Sequence, residues 1–192
     1  MAEPKSGIMA GKRGLIMGVA NDRSLAWGIA QAIAAQGGEI AFSFQGEALE
    51  KRVRPLAESL GADFLIECDV ADPASMDAAF ATLAARWPTI DFVVHAISFS
   101  DKNELRGRYV DTSIENFAMT MNISVFSFTD VARRVLPLMK AGGSLLTLSY
   151  YGAEKVIPHY NVMGVAKAAL ETSVKYLAMD LGPDNIRVNA IS

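Results

Sequence analysis

The sequence predicts an α/β domain built on a doubly wound parallel sheet, Rossmann-like and three-layered. Short apolar runs alternate strictly with longer helical stretches, the short runs are apolar almost without interruption, and the connections between them are a few residues long. A sheet covered on both faces needs apolar residues on both sides of each strand, which is why such strands do not alternate.

The first strand is expected at Gly14 to Gly18 (GLIMG), followed by a helix over Ser24 to Gln36 that Gly37 and Gly38 end. A second strand, Glu39 to Phe44, precedes a helix over Glu47 to Leu60, with Gly61 just past it. The third, Asp63 to Cys68, leads to Asp72-Pro73, an N-cap and first helical residue for a helix over Pro73 to Trp87. After the fourth strand, Asp91 to Ala96, comes the one long irregular stretch, Ile97 to Thr112. Ligands in open α/β sheets bind beyond the carboxyl ends of the strands, so this stretch is a candidate rim of a substrate site. A helix over Ser113 to Met139, a strand at Gly143 to Ser149, a helix over roughly Tyr160 to Leu181 and a strand at Ile186 to Ile191 complete the alternation.

The 192 residues fit one domain, 1–192, with no repeat, low-complexity tract or linker. Eighteen Lys and Arg against 21 Asp and Glu give a net charge of -3, without the clustered positive charge that nucleic acid requires. The single cysteine, Cys68, excludes an internal disulfide and a cysteine-based zinc site, and no metal site is expected; it also fits a reducing, cytoplasmic compartment. The N-terminal MAEPKSG lacks an apolar signal core and no apolar run approaches eighteen residues, so neither secretion nor a membrane partner is expected. Apolar residues circle the Ser113–Met139 and Tyr160–Leu181 helices, and the sheet buries only one face of each; self-association is the expected cover for the other.

The turn after the first strand, Gly18 to Ala30 (GVANDRSLAWGIA), combines a glycine at the strand end, small residues and a helix N-terminus. Close backbone approach, free N–H groups and the positive end of a helix dipole suit a pyrophosphate, and the position on the first βα turn points to a dinucleotide. The spacing departs from G-x-G-x-x-G, since the next glycine is Gly28. At the end of the second strand stands Phe44-Gln45-Gly46, with no adjacent Arg to receive a 2′-phosphate, which favours NADH over NADPH.

The fifth strand and the helix after it read LLTLSYYGAEKVIPHYNVMGVAK. Short-chain dehydrogenases carry a Tyr followed four residues later by Lys, with a Ser about thirteen residues before the Tyr; here the residue four after Tyr160 is Gly164 and the next lysine is Lys167. Seven helical residues are nearly two turns, so Tyr160 and Lys167 share a face about 10 Å apart along the axis. Counted back from Lys167, the usual Tyr position holds Met163 and the usual Ser position holds Tyr150.

This two-tyrosine pattern, Ser149 to Lys167, resembles the NADH-dependent enoyl-acyl-carrier-protein reductases of bacterial fatty-acid elongation, a divergent branch of the short-chain dehydrogenase/reductase superfamily. The resemblance extends over the Gly18–Ala30 turn, Phe44-Gln45, Cys68-Asp69-Val70 and His95 to Phe99. Met17 stands where the family commonly has Thr, and Ser98 where many members have Gly. The resemblance implies reduction of a trans-2-enoyl thioester on acyl-carrier protein, with Tyr160 donating to the thioester oxygen, Lys167 holding the nicotinamide ribose and Tyr150 at the acyl head. It implies cofactor contacts at Gly18, Ser24, Leu25, Gln45, Asp69, Val70 and Ile97, a substrate approach at Ser100, and a tetramer. His95 and His159 match no catalytic position and are assigned to structure or surface.

Two other readings remain open on the residues alone. One is an ordinary short-chain carbonyl (3-oxoacyl) reductase, against which the missing Tyr-x-x-x-Lys counts; the other is an NAD(H)-binding protein without turnover. The family continues beyond Ala190-Ile191-Ser192 through a Gly-Pro turn, a substrate-binding loop with its helix and a seventh strand. A C-terminally shortened chain lacking that wall of its site is therefore expected.

Overall fold

The computed structural model describes residues 7–192; the N-terminal MAEPKS lies outside them. Six strands form one parallel sheet: β1 Arg13–Met17, β2 Glu39–Phe44, β3 Phe64–Glu67, β4 Phe92–His95, β5 Gly143–Leu148 and β6 Ile186–Ile191. Their order is β3-β2-β1-β4-β5-β6, and each lies within a residue or two of the segment expected from the apolar runs. The chain winds outward from β1 to β3 and then crosses to β4 on the other side of β1. That reversal makes the carboxyl ends of β1 and β4 the switch point where a crevice opens.

Helices α1 (Leu25–Ala35) and α2 (Gly46–Ser59) cover one face of the sheet. Their core joins Trp27, Ala30, Val53 and Ala57 to Ile16, Phe42 and Val94 of the strands. The opposite face carries α3 (Pro73–Arg86) and three further segments: α5 (Ile114–Met121), α6 (Ser127–Val135) and α7 (Asn161–Leu181). There Met76, Leu83, Phe128, Val131, Ala166 and Leu170 pack on Leu15, Met17, Val93 and Leu145. An ion cluster ties this layer together, its largely buried centre Asp130–Arg134 reaching outward to the exposed side chains of Arg133 and Asp77.

Two expectations change. The Ser113–Met139 helix is interrupted: α5 passes through a π-helical turn, Asn122–Phe126, into α6, and a 3₁₀ turn at Leu136–Leu138 follows around Pro137. Within the π turn the Ser124 hydroxyl faces the loop after β4, accepting from Phe99 N at 3.0 Å and donating to Phe99 O at 3.1 Å. Extra turns of this kind often re-aim side chains at functional sites. The stretch 97–112 is also less irregular than expected, for it holds a one-turn helix, α4 (Lys102–Leu105), and a 3₁₀ turn at Tyr109–Asp111. Strand β6 alternates, burying Ile186 and Val188 against α7 and exposing Arg187 and Asn189, because α7 covers only one of its faces.

The central pair β1–β4 depends on a missing side chain. A Cβ on Gly14 would lie 2.2 Å from Phe92 O and 2.5 Å from the Phe92 ring. Gly14→Ala is therefore expected to lower stability by about 3 kcal/mol through overpacking. Urea unfolding checks this, and an unchanged midpoint would contradict the tight β1–β4 contact.

Candidate active site

At the carboxyl end of β1, Gly18 adopts φ 98°. A Cβ there would stand 2.1 Å from Ala96 O, so both the left-handed conformation and the contact with the β4 end require glycine. The following turn is folded by Ser24, whose hydroxyl accepts from Ala20 N at 3.0 Å and Asn21 N at 3.1 Å. Ser24 stands at the N-cap of α1 but makes no side-chain cap bond, which leaves the first α1 amides for another acceptor. Exposed Leu25 flanks them.

Two adjoining hollows line this edge and share Gly18, Ala96 and Ser98. The larger, of about 440 Å³, is walled by Val19, Phe44, Gln45, Asp69, Val70 and Ile97 among others. Its polar end is a preset pair: Gln45 Nε2 donates to Asp69 Oδ2 at 2.8 Å, while Asp69 Oδ1 accepts from Ala71 N at 2.8 Å. Cys68 also borders it, but burial pushes the thiol up to about 11, so it stays protonated and unreactive at neutral pH. The second hollow, about 380 Å³, brings Leu25, Ser149, Tyr150, Tyr160 and Lys167 to the same groove.

Lys167, on the second turn of α7, is only 6% exposed and donates from Nζ to Leu148 O at 2.6 Å. Burial lowers its pKa. An ammonium has three donors, so the carbonyl leaves two for the groove. Tyr160 caps the start of α7 between two left-handed residues, His159 at φ 63° and Asn161 at φ 38°. Its ring meets Tyr150 edge-on, with centroids 4.9 Å apart and planes at 67°. Burial first, and Tyr150 second, push the Tyr160 hydroxyl up to about 12, so it remains a donor throughout the neutral range.

Two glycines that sequence reasoning passed over make room for this arrangement. A Cβ on Gly152 would lie 2.5 Å from the Tyr160 ring, and one on Gly164 would lie 2.8 Å from Gly152 O. The signal was in view, since Gly164 occupies the place four residues after Tyr160 where ordinary short-chain reductases have lysine. A lysine Cβ there would collide with the backbone that backs the tyrosine.

Ser100 is drawn elsewhere. Its hydroxyl donates to Asn116 Oδ1 at 3.2 Å and accepts from Thr120 at 2.9 Å, and it lines neither hollow of the groove. Ser24 likewise serves the turn rather than the walls. His95 is fully buried, with Nε2 2.8 Å from Ser127 Oγ. Because Ser127 donates its own proton to Ile123 O at 2.6 Å, His95 Nε2 is the donor of that bond. Among the described residues no group of three or more His, Cys, Asp or Glu is placed to hold a metal ion.

A family model described as enoyl-(acyl carrier protein) reductase matches residues 18–192. The chain belongs to that family. It is 67% identical over 187 residues to enoyl-[acyl-carrier-protein] reductase [NADH] 1 of Rhizobium meliloti (strain 1021), an alignment covering 97% of this chain and 69% of the relative. A crystal structure of the enoyl-(acyl-carrier-protein) reductase from Anaplasma phagocytophilum in complex with NAD superposes with a TM-score of 0.96 at 62% identity, covering 100% of this chain and 73% of that one. FabI from Candidatus Liberibacter asiaticus gives 0.96 at 57% identity, covering 97% and 72%.

Within this reductase fold, the sheet edge thus brings Gly18, Gln45, Asp69, Val70 and Ile97 to one end of the groove and Leu25, Tyr150, Tyr160 and Lys167 to the other. His95 stands behind it as packing. Burial lowers its pKa from 6.5 to about 3, ahead of the repulsion from Lys167. Unfolding restores the ordinary value, so below pH 6.5 the unfolded chain takes up a proton that the folded chain refuses until about pH 3. This histidine therefore withdraws stability progressively as pH falls through that window and has no effect above it. Ring NMR signals of His95 are expected to stay fixed between about pH 8 and pH 5; a titration step in that range would contradict the buried, neutral assignment.

Proposed function

We infer that this chain is an NADH-dependent enoyl-[acyl-carrier-protein] reductase in which Tyr160 and Lys167 act at one end of the groove and the Gly18 turn at the other. The observation that carries the assignment of roles is the pairing of a protonated Tyr160 hydroxyl with a buried Lys167 in one hollow that adjoins the glycine turn.

The residues present fit the dinucleotide. The Gly18 turn and the uncapped α1 amides would hold its pyrophosphate, with Ser24 shaping the turn and Leu25 flanking it. Asp69, Val70 and Gln45 would hold the adenosine end, where the Asp69 carboxylate repels a 2′-phosphate and so favours NADH. Ile97 and the two free donors of Lys167 would hold the nicotinamide ribose. When bound, NADH supplies a hydride for Cβ of the trans-2-enoyl thioester.

Tyr160 then acts on the opposite end of the conjugated system. Its O–H donates to the thioester oxygen as negative charge develops there, and a preorganised donor of this kind lowers a barrier by about 3 to 4 kcal/mol. The Lys167 charge, partly stripped of solvent, adds to the stabilisation. Tyr150 packs edge-on against Tyr160 and limits its ring to one orientation toward the acyl head. Ser100 supports the substrate side by anchoring its loop, its hydroxyl being spent on Asn116 and Thr120.

We also propose that residues 1–192 form one dinucleotide-binding and catalytic unit, that the enzyme is cytoplasmic as its NADH dependence suggests, and that the chain assembles with copies of itself as a tetramer. Supporting self-association are Ile114 at the start of α5, Phe126 at the end of the π turn, and Tyr176 and Met179 on α7, all more than half exposed. Among the described residues no helix is long and apolar enough to cross a membrane.

The full-length wild-type protein should oxidise NADH with a crotonyl thioester and leave an acetoacetyl thioester untouched; the reverse preference would overturn the reading in favour of a carbonyl reductase. Tyr160→Phe should retain NADH binding and lose turnover by about 10² to 10³-fold. Full activity in that variant would remove Tyr160 from the chemistry.

A further inference from the structure

Left-handed backbone is rare outside glycine, and asparagine is among the few residues that tolerate it. Asn161 adopts it directly after Tyr160, at the first position of α7. Its side chain leaves the helix and reaches back more than fifty residues in sequence. Nδ2 lies 2.9 Å from Gly107 O, 3.2 Å from Glu104 O and 3.3 Å from Leu105 O. These carbonyls belong to the end of α4 and the turn after it, where a one-turn helix leaves acceptors for outside donors; Glu104 O also accepts from Gly107 N at 3.3 Å.

The same segment is held from its other side. The Glu104 carboxylate accepts from Ser113 N at 3.0 Å, Ser113 Oγ at 2.7 Å and Asn116 Nδ2 at 3.0 Å. Asn116 Oδ1 in turn accepts from Asp101 N at 3.0 Å. Residues 100–107 are therefore clamped between α5 and the first residue of α7. They continue directly from Ser98 and Phe99, which line the groove. The amide of Asn161 is the link from this wall to the backbone that aims Tyr160.

We propose that Asn161 is a positioning residue: by tying the 104–107 carbonyls to the start of α7, it sets the groove wall after β4 and the Tyr160 hydroxyl in one fixed relation. The proposal rests on the enoyl-reductase reading. The adenosine and pyrophosphate contacts lie at the ends of β1 to β3, and Lys167 is anchored separately on Leu148 O, so loss of the clip acts on the enoyl thioester far more than on NADH affinity.

Three substitutions in the full chain separate the clip from mere backbone accommodation. Asn161→Gly keeps the left-handed conformation and removes the donor. Asn161→Asp keeps shape and backbone tolerance but turns a carboxylate toward three carbonyls. Asn161→Ala removes both. The clip predicts the order wild type, then N161G, then N161D, with kcat/KM for a crotonyl thioester falling by about tenfold to a hundredfold in N161D. KM for the thioester should rise, the NADH Kd should stay within about twofold, and hydrogen exchange should quicken at 102–108 in both N161G and N161D while the β1 to β3 amides keep their protection. If N161G and N161D match the wild type and only N161A is impaired, the residue serves backbone conformation alone and the proposal is overturned. A fall in kcat with unchanged KM and slow exchange at 102–108 would overturn it as well. A full-length wild-type protein that does not reduce the thioester would instead overturn the function on which the proposal rests.

Discussion

A buried ammonium is costly, several kcal/mol for an ion without compensation, and the end of the groove proposed for the reaction is organised around a buried lysine. Lys167 sits within the core layer of α7, flanked by Ala166 and Leu170, yet its Nζ emerges at the carboxyl end of β5 on the Leu148 carbonyl. That single strong bond fixes the helix against the sheet edge and leaves the remaining donors facing the groove. Tyr160, two turns earlier on the same helix, is then delivered to the same hollow. Burial acts on both groups in opposite senses, lowering the lysine and raising the tyrosine, so at neutral pH the Tyr160 hydroxyl keeps its proton as a neutral donor beside the lysine. Hydride addition to an activated double bond requires that combination, because charge accumulates on an oxygen that a phenolate would repel.

The other end of the groove follows from the absence of side chains. Gly14 lets β1 and β4 approach, and Gly18 lets the chain turn against Ala96 with its backbone lining the groove. Closeness of these two strands and their divergence just beyond produce both the crevice and the free helix amides. Gly152 and Gly164 repeat the principle at the tyrosine. Gly164, which a Tyr-x-x-x-Lys spacing counted from Tyr160 would make a lysine, is the small residue needed behind the ring.

How much of this could be read beforehand depended on the range of the interactions involved. Strand runs such as EIAFSF and caps such as Asp72-Pro73 are local, and they reappear within a residue or two. The break in the Ser113–Met139 helix was not visible because Ser124 spends its hydroxyl on Phe99, 25 residues away. Ser100 was placed near substrate through family resemblance, whereas the direction of its hydroxyl is decided by Asn116 and Thr120. Asn161 carried no local signal at all: nothing in YNVMG announces an amide that will satisfy carbonyls at 104–107. Residue types at the site were legible, but the network holding them was tertiary.

The central claim is that the buried Lys167–Tyr160 pair supports conjugate addition, with the hydride delivered to carbon and the charge received by the thioester oxygen. Reduction of a crotonyl thioester by NADH deuterated on the transferred position of C4, followed by NMR of the product, tests this most directly. The account predicts a saturated butyryl thioester with deuterium on C3 and a solvent-derived proton on C2. Deuterium on C2, or a hydroxyl-bearing product with the double bond untouched, would contradict it.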